Sequence, residues 1–358
     1  MRPQLKPGLR RVWRDRRTVQ IGLDPEHALV LTDLDPALTE VVDGLTGIRT
    51  TEAIVTQALS RGIDGVRARR LLQLLSDGGV LDDAESTHLA LRDLTPTERE
   101  RLSPDLAARS VSSRSPDGGA AELAVRRDAC VAVYGAGRVG ASMTSLLASA
   151  GVGRLTIIDR SLVRPADLAP AGLALGDVGS SRALGASRAV AGSAPSTDVA
   201  AIGEGQTTVR PHVAILAPDD EPDRRVADTL VRAGVPHLVV RMREARAILG
   251  PFVLPGESSC IRCHDLHRAA RDPQWPHVLA QVLSEPTRTP ACDVVLATSL
   301  AAQATLHVLA FLNGVRPPSV DATLEMDLPL GAQRRRSWSS HPSCGCQWDP
   351  EPLPAAAA

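Results

Sequence analysis

With 358 residues, 40 basic and 41 acidic side chains and a formal charge of −1, the chain has room for about two or three domains and a substantial core, and no global electrostatic pull toward nucleic acid or a membrane surface. The start, MRPQLKPGLRRVWRDRR, lacks the apolar core of a signal peptide, and no later run reaches the uninterrupted length of a membrane helix, which implies a cytosolic protein. Its six cysteines then point to metal or chemistry rather than a disulfide framework, and because Lys6 is the only lysine, arginine is expected where a cation is needed.

Residues 1–83 predict a first unit. Val12-Trp13, Val19–Ile21 and Ala28–Leu31 are short strand patterns joined by polar turns. Apolar residues at one-face helical spacing follow from Leu38 to Leu45, from Thr50 to Leu59 and from Val66 to Leu75, where Gly78-Gly79 stops the last helix. Strands first and three helices after make a small α+β, winged-helix-like module. A winged helix can bind DNA, but the balanced charge and the lack of polar base readers on a basic helix argue against that use.

This order resembles the PqqD-like family of precursor-peptide recognition elements, on Pro7-Gly8, the extended HALVL, the helix around DGLTGIRTTEAIV and the last helix ending LLSDGGVLDD. The resemblance implies that a leader peptide adds as a strand near Ala28 to Leu31, Val30 included. Backbone bonds give affinity there and side-chain pockets give specificity. It also implies that the last helix, with Arg67 and Arg70, walls the cleft and suits an acidic leader. Read from the residues alone, those arginines are a solvated helix face.

Residues 84–119 predict a charged helix, in which Thr95 with Glu98 three residues on forms a capping box, and then a Ser/Gly/Pro-rich linker. The second domain is expected over 120–350, with a disordered tail over 351–358.

Cys130 to Asp159 predicts one β-α-β unit: apolar Val131 to Tyr134, a glycine turn, an Ala/Leu-rich helix and apolar Leu155 to Ile158 closed by an acid. Gly135, Gly137 and Gly140 supply G-x-G-x-x-G, which permits a tight turn, close phosphate approach and close helix packing; free amides at the helix start favour an anion. Asp159 lies at the spacing of a ribose-binding acid. The pattern predicts a Rossmann-type nucleotide site without choosing between a dinucleotide and ATP.

Val213 to Leu216 and Val235 to Arg241 predict further buried strands, followed by GPFVLPGESSCIRCHDLHR. Cys260 with Cys263 and Cys344 with Cys346 supply four thiols in two close pairs, the donor set of a closed structural zinc site; Gly345 relieves crowding in the tighter half. His264, His267 and His341 are nearby alternatives. The glycine loop, the strand-end acid, an acid-rich turn after the next strand and the two cysteine pairs together resemble the ThiF/MoeB/ubiquitin-activating superfamily over about residues 120 to 348.

That resemblance implies an α/β Rossmann-like domain that spends ATP and Mg2+ to adenylate a carboxylate. Carried over, Asp159 and Arg160 meet the nucleotide, Arg182 stands where the family has a phosphate-contacting lysine, and Asp220 matches the acid of the C-T-D-N turn, with Asp219 the choice if that turn is shifted by one. Ser161, Asp167, Pro170 and Ala171 depart from the family pattern D-x-D-x-V-x-x-x-N-L-x-R-Q. Loss of the arginine at Pro170 removes charge stabilisation that Arg160 or Arg164 must replace from the same loop. Cys292 is similar to the P-x-C-T acceptor thiol, with Asp293 in place of threonine and unfavourable to a thiolate; the alternative is a small residue at a helix start.

Two functions follow from the resemblances. One is an adenylyltransferase acting on a precursor peptide, usually a homodimer. The other is a non-adenylating scaffold that holds the leader and presents the core to a partner such as a cyclodehydratase. A nicotinamide-dependent reductase leaves the four cysteines unexplained.

Overall fold

The computed structural model describes residues 1–203, 209–285 and 289–347; the tail expected from 351 onward lies outside them. The chain divides into two units, Met1–Ala124 and Val125–Ala358.

The first unit contains β1 (Pro3–Leu5), β2 (Arg11–Trp13), β3 (Val19–Ile21), β4 (Leu29–Leu31), α1 (Pro36–Asp43), α2 (Thr51–Ser60), α3 (Gly65–Asp77), β5 (Leu81–Asp83), α4 (Ala84–Leu91) and α5 (Pro96–Ser112), and α6 (Ala120–Asp128) spans the division. Side chains of Asp35, Thr50 and Asp64 each accept an amide at the start of α1, α2 and α3, so the three helices begin where a capping residue ends the extended chain. Val19, Ile21, Val41, Val42, Val55, Leu72 and Leu75 bury one face of each element in a common core. β2, β3 and β4 form an antiparallel sheet in which, among the described residues, β4 pairs only with β3. The pair β1–β5, which joins residues 76 or more positions apart, was not expected from sequence. Thr95 caps α5 by accepting from the Glu98 amide, and Leu94, Leu102, Leu106 and Leu123 are buried together, while 113–119 form neither helix nor strand. Lys6 is buried and donates to the carbonyls of Ser110 and Ser113, a use in which burial pushes its pKa down.

The second unit is a mixed α/β body on an eight-stranded sheet. It runs β6 (Cys130–Tyr134), α7 (Arg138–Ser149), β7 (Arg154–Ile158), α8 (Arg182–Ser193), β8 (Asp198–Ile202), β9 (Val213–Leu216), α9 (Arg224–Arg232), β10 (His237–Arg243), β11 (Arg246–Val253), α10 (Ile261–Arg271), α11 (Trp275–Ser284), α12 (Val294–Leu312), β12 (Ala322–Asp327) and β13 (Ala332–Ser337). The spatial order is β13-β12-β11-β10-β9-β6-β7-β8. Strands β8, β7, β6, β9 and β10 are parallel, and β11 to β13 continue the sheet antiparallel. Chain order reverses between β6 and β9, and ligands of open α/β sheets bind in the crevice beyond the strand ends at such a point.

One helix does meet the length and hydropathy of a membrane span, contrary to the sequence expectation: α12, with a mean hydropathy of 1.7. Leu296, Leu300, Ala304 and Val308 of this helix are buried in the core beside Met143 and Leu249. Its apolar character serves packing.

Gly140 is fixed by steric contact: a Cβ there would stand 1.9 Å from the Gly135 carbonyl oxygen, whereas Gly192, near the end of α8, faces open space. Gly140→Ala should therefore destabilise the protein by about 1–3 kcal/mol through overpacking. Gly192→Ala should stabilise it by about 0.5–1 kcal/mol. Thermal denaturation of the two variants checks the contrast, which equal melting temperatures would refute.

Candidate functional site

The glycine loop closes over the reversal point because β6 and β9 end in register. Gly135, at φ +100°, leaves β6 in the left-handed region, and a Cβ on it would meet the Ala217 carbonyl oxygen at 2.2 Å. A Cβ on Gly137, the residue before α7, would meet Asp219 Oδ1, also at 2.2 Å. Asp159, at the end of β7, accepts from the Ala136 amide through Oδ2 and from the Ser161 amide through Oδ1, both at 2.7 Å. The acid thus holds the loop from one side while Asp219 abuts it from the other.

Arg182 opens α8 and lies between these acids with 3% of its surface exposed. Its Nε donates to Asp167 Oδ2 at 3.0 Å, one terminal nitrogen reaches Asp167 Oδ1 at 2.6 Å, and the other donates to Asp219 Oδ2 at 2.7 Å and stands 3.7 Å from Asp159 Oδ2. Burial opposes the guanidinium charge, but Asp219 and Asp167 outweigh it and raise the pKa. Burial likewise works to raise Asp167, yet hydrogen bonds from Arg182 and Arg164 leave it below the ordinary carboxylate range.

The acid facing the loop is Asp219. The Ala217 amide, one residue past β9, still donates to the Tyr134 carbonyl of β6 at 2.8 Å, so the chain leaves the sheet at Pro218 and Asp219 is the first acid beyond it. Asp220 is partly buried and lines neither cavity described next.

Two cavities share Pro218 and Asp219. The larger, about 460 Å³, is walled by Tyr134, Ile158, Asp159, Arg160, Arg182 and Val226, a volume in the range of small-ligand sites. The smaller, about 180 Å³, lies at the start of α7 among Gly137, Arg138, Arg164, Met242 and Cys292. Arg164 stands 3.2 Å from Asp167 and 3.8 Å from Asp219 with half its side chain exposed, so it and Arg160 each line a cavity from the loop after β7. Pro170 and Ala171 line neither.

A second cluster lies at the start of α10. The sulfurs of Cys260, Cys263, Cys344 and Cys346 are all within 4.8 Å of one another, with separations of 3.8 Å (Cys260 to Cys263), 3.4 Å (Cys260 to Cys344) and 3.4 Å (Cys263 to Cys346). A tetrahedron with metal–sulfur bonds of about 2.3 Å has edges of about 3.8 Å, so the donor set is compatible with zinc. Gly345 takes φ +75° between the second pair, and the His341 amide donates to Cys263 Sγ at 3.3 Å. His264 instead stacks on Trp338 at 4.2 Å, and His267 meets the Ser339 carbonyl through Nε2.

A comparison with protein families matches residues 115–347 to the ThiF family. The chain belongs to that family. No curated protein matches it in sequence. Among solved structures it is similar to Escherichia coli MccB with succinimide, at 16% identity and a TM-score of 0.69 over 97% of this chain and 99% of that one. It is similar also to the microcin C7 biosynthetic enzyme MccB bound to N-formylated MccA, at 15% identity and 0.70 over 97% and 100%, and to PaaA, at 16% and 0.65 over 94% and 100%. At such identities the likeness is one of fold.

Within this ThiF fold, Cys292 does reach the smaller cavity, and Arg138 donates to its carbonyl at 2.6 Å. Burial pushes its thiol pKa up against the pull of Arg138, and Asp219 and Asp293 add to the rise. Asp293 also caps α12, since its carboxylate accepts the amides of Val295 and Leu296. Cys130 is buried at the start of β6 with its thiol also raised by burial.

In the first unit, Val30, which pairs with Gln20 of β3, is 38% exposed, and Ala28 precedes β4. The end of α3 lies against β4, since a Cβ on Gly78 would meet Leu29 Cδ2 at 2.9 Å. Arg70 is exposed on α3, and Arg67 donates to Asp35 at 2.9 Å. Sequence reasoning passed over Arg138, whose place inside the glycine run was the available signal, and gave Asp167 no role, although it holds Arg182.

Because burial and two acids disfavour the thiolate, Cys292 should alkylate with iodoacetamide at pH 7.5 at least about tenfold more slowly than a free cysteine, and faster as pH rises. Mass-spectrometric labelling rates check this; rapid labelling at pH 6.5 would contradict it.

Proposed function

We propose that this ThiF-family chain binds a precursor peptide and activates a carboxylate on it by adenylation during maturation of a ribosomally made peptide. The observation that carries the reading is the placement of Asp159, Arg182 and Asp219 around the glycine loop, between a nucleoside-sized cavity and a smaller one. The complexes of the similar MccB with ATP, with AMPCPP and with MccA support it.

In this reading Asp159 binds the ribose within the larger cavity, and the amides at the start of α7 take the phosphates. A carboxylate oxygen of the peptide, lodged in the smaller cavity, attacks the α-phosphorus of ATP; the bond to the bridging oxygen breaks, and pyrophosphate leaves with its electron pair. Arg182 and Arg164 stabilise the charge that develops, with Arg160 at the nucleoside side. Asp167, Asp219 and Asp159 place three carboxylates against two guanidiniums, and Asp219 would hold an Mg2+ ion, which would supply positive charge there. Zn2+ on Cys260, Cys263, Cys344 and Cys346 is structural, because four sulfurs leave no open coordination position.

The first unit serves as the PqqD-like leader-binding element, with the strand edge at Ala28 and Val30 receiving the leader and Arg67 and Arg70 facing its acidic groups. The proposal includes a cytoplasmic homodimer: α12 carries no charged side chain yet exposes Val295 and Leu306.

One observation favours the scaffold reading. Arg182 is already surrounded by three carboxylates, and the loop lacks the family's arginine at Pro170. There the chain only presents the leader-bound peptide to a partner such as a cyclodehydratase.

ATP–pyrophosphate exchange with and without the precursor peptide separates the two. Exchange that needs the peptide and falls about 10²-fold or more in Asp219→Ala is expected; tight leader binding with no exchange would establish the scaffold. Val30→Pro should weaken leader binding about tenfold or more by spoiling the strand edge, read by fluorescence anisotropy, and unchanged affinity would place the leader elsewhere.

A further inference from the structure

The segment that carries Asp219 is anchored from behind by a residue that touches neither cavity. Glu221, two positions on, is buried, its side chain 4% exposed, and its carboxylate accepts from Arg243 Nε at 3.0 Å and Arg224 at 3.1 Å, while Arg241 Nε stands 3.5 Å away. Arg243 and Arg241 project from β10 and Arg224 opens α9, so one carboxylate joins the strand, the helix and the loop between β9 and α9. The demand on that carboxylate is strong. Arg241 has no exposed surface, and among the described residues none of its three guanidinium nitrogens makes a hydrogen bond, so the nearby Glu221 charge must offset its burial. Burial works to raise Glu221, but the Arg241 and Arg243 charges outweigh it and hold the group at about 2.

The anchor extends to the cysteine cluster. Arg224 also donates to both oxygens of Asp265, at 2.8 and 3.3 Å, and Asp265 lies on α10 two residues after Cys263. Trp275 donates its ring N–H to the same carboxylate at 3.3 Å, and Arg268 stands 3.7 Å from it and lies over the Trp275 ring. A chain of charge-assisted bonds therefore runs from α10 through Asp265, Arg224 and Glu221 to the turn that holds Asp219 against Arg182.

We propose that Glu221 is a positioning residue for this site, fixing the Asp219 turn against the glycine loop, and that Asp265 relays the position of α10 to it. The proposal rests on reading the Asp219–Arg182 pair as the adenylating site. Through Glu221, Arg224 and Asp265, Asp219 is thereby held within hydrogen-bond reach of Arg182. A displacement of about 1 Å there costs on the order of 10²-fold in rate.

The test uses the full-length, zinc-loaded protein. Because Glu221→Gln alone strands the buried Arg241 charge, Glu221→Gln is combined with Arg241→Met, and Asp265→Asn cuts the relay at its other end while leaving that buried pair intact. Hydrogen–deuterium exchange over residues 216–223 should rise several-fold in both variants, with melting curves still cooperative. The kcat of peptide-dependent pyrophosphate exchange should fall by about 10²-fold in the Glu221 variant and about tenfold in Asp265→Asn, with leader affinity changed less than twofold. Combining all three substitutions should cost no more than the Glu221 variant alone, since they break one chain. Unaltered amide exchange over 216–223 in both folded variants would overturn the proposal. If the wild-type protein shows no pyrophosphate exchange, the adenylating reading fails on its own, and amide exchange over 216–223 alone decides whether Glu221 fixes the turn.

Discussion

A buried guanidinium held by three carboxylates organises the second unit. Arg182 cannot shed its charge, and its burial is tolerable only because Asp167 and Asp219 bond it directly and Asp159 stands close by. Those acids come from two crossings of the sheet: Asp159 from the end of β7 and Asp167 from the loop after it, and Asp219 from the turn after β9. Each must reach the same point beside the glycine loop, which constrains the loop between β7 and α8 and places both cavities. The planar fork of Arg182 bonds Asp167 through Nε and one terminal nitrogen and Asp219 through the other, an arrangement that the single ammonium of a lysine cannot reproduce.

The same crowding separates two functions that the fold permits. An arginine engaged by carboxylates is poorly placed to meet a phosphate unless a divalent cation or the nucleotide itself rearranges those contacts. Arg164, half exposed and near both Asp167 and Asp219, is a positive charge at the site that is open to solvent. It comes from the loop after β7, beside Asp167.

Much of this was legible in the chain because it is local. The strand, glycine turn and acid from Cys130 to Asp159 fall within one β-α-β unit, and the two cysteine pairs each fit one turn, so spacing sufficed. The helix caps at Asp35, Thr50 and Thr95 are likewise contacts within a few residues. What spacing could not give is register and partnership across the fold. Whether Asp219 or Asp220 faces the loop depends on where β9 releases the chain, a one-residue matter decided by the Ala217 amide. Glu221 meets Arg241 across 20 positions of sequence and Arg224 meets Asp265 across 41, and nothing in their spacing announces it. The short β1–β5 pair escaped for the same reason. The 19-residue apolar α12 was not expected to reach the length of a membrane span, which it does, and its packing in the core is what accounts for its apolar character.

A crystal structure of the protein with a non-hydrolysable ATP analogue and Mg2+ would decide whether the carboxylate-held arginine marks an adenylating site. The ribose is expected on Asp159 in the larger cavity, the α-phosphate at the amides of Gly137 and Arg138 between Arg164 and Arg182, and the metal on Asp219. A nucleotide bound away from the glycine loop, or a metal held by Asp220 with Asp219 turned away, would contradict that assignment.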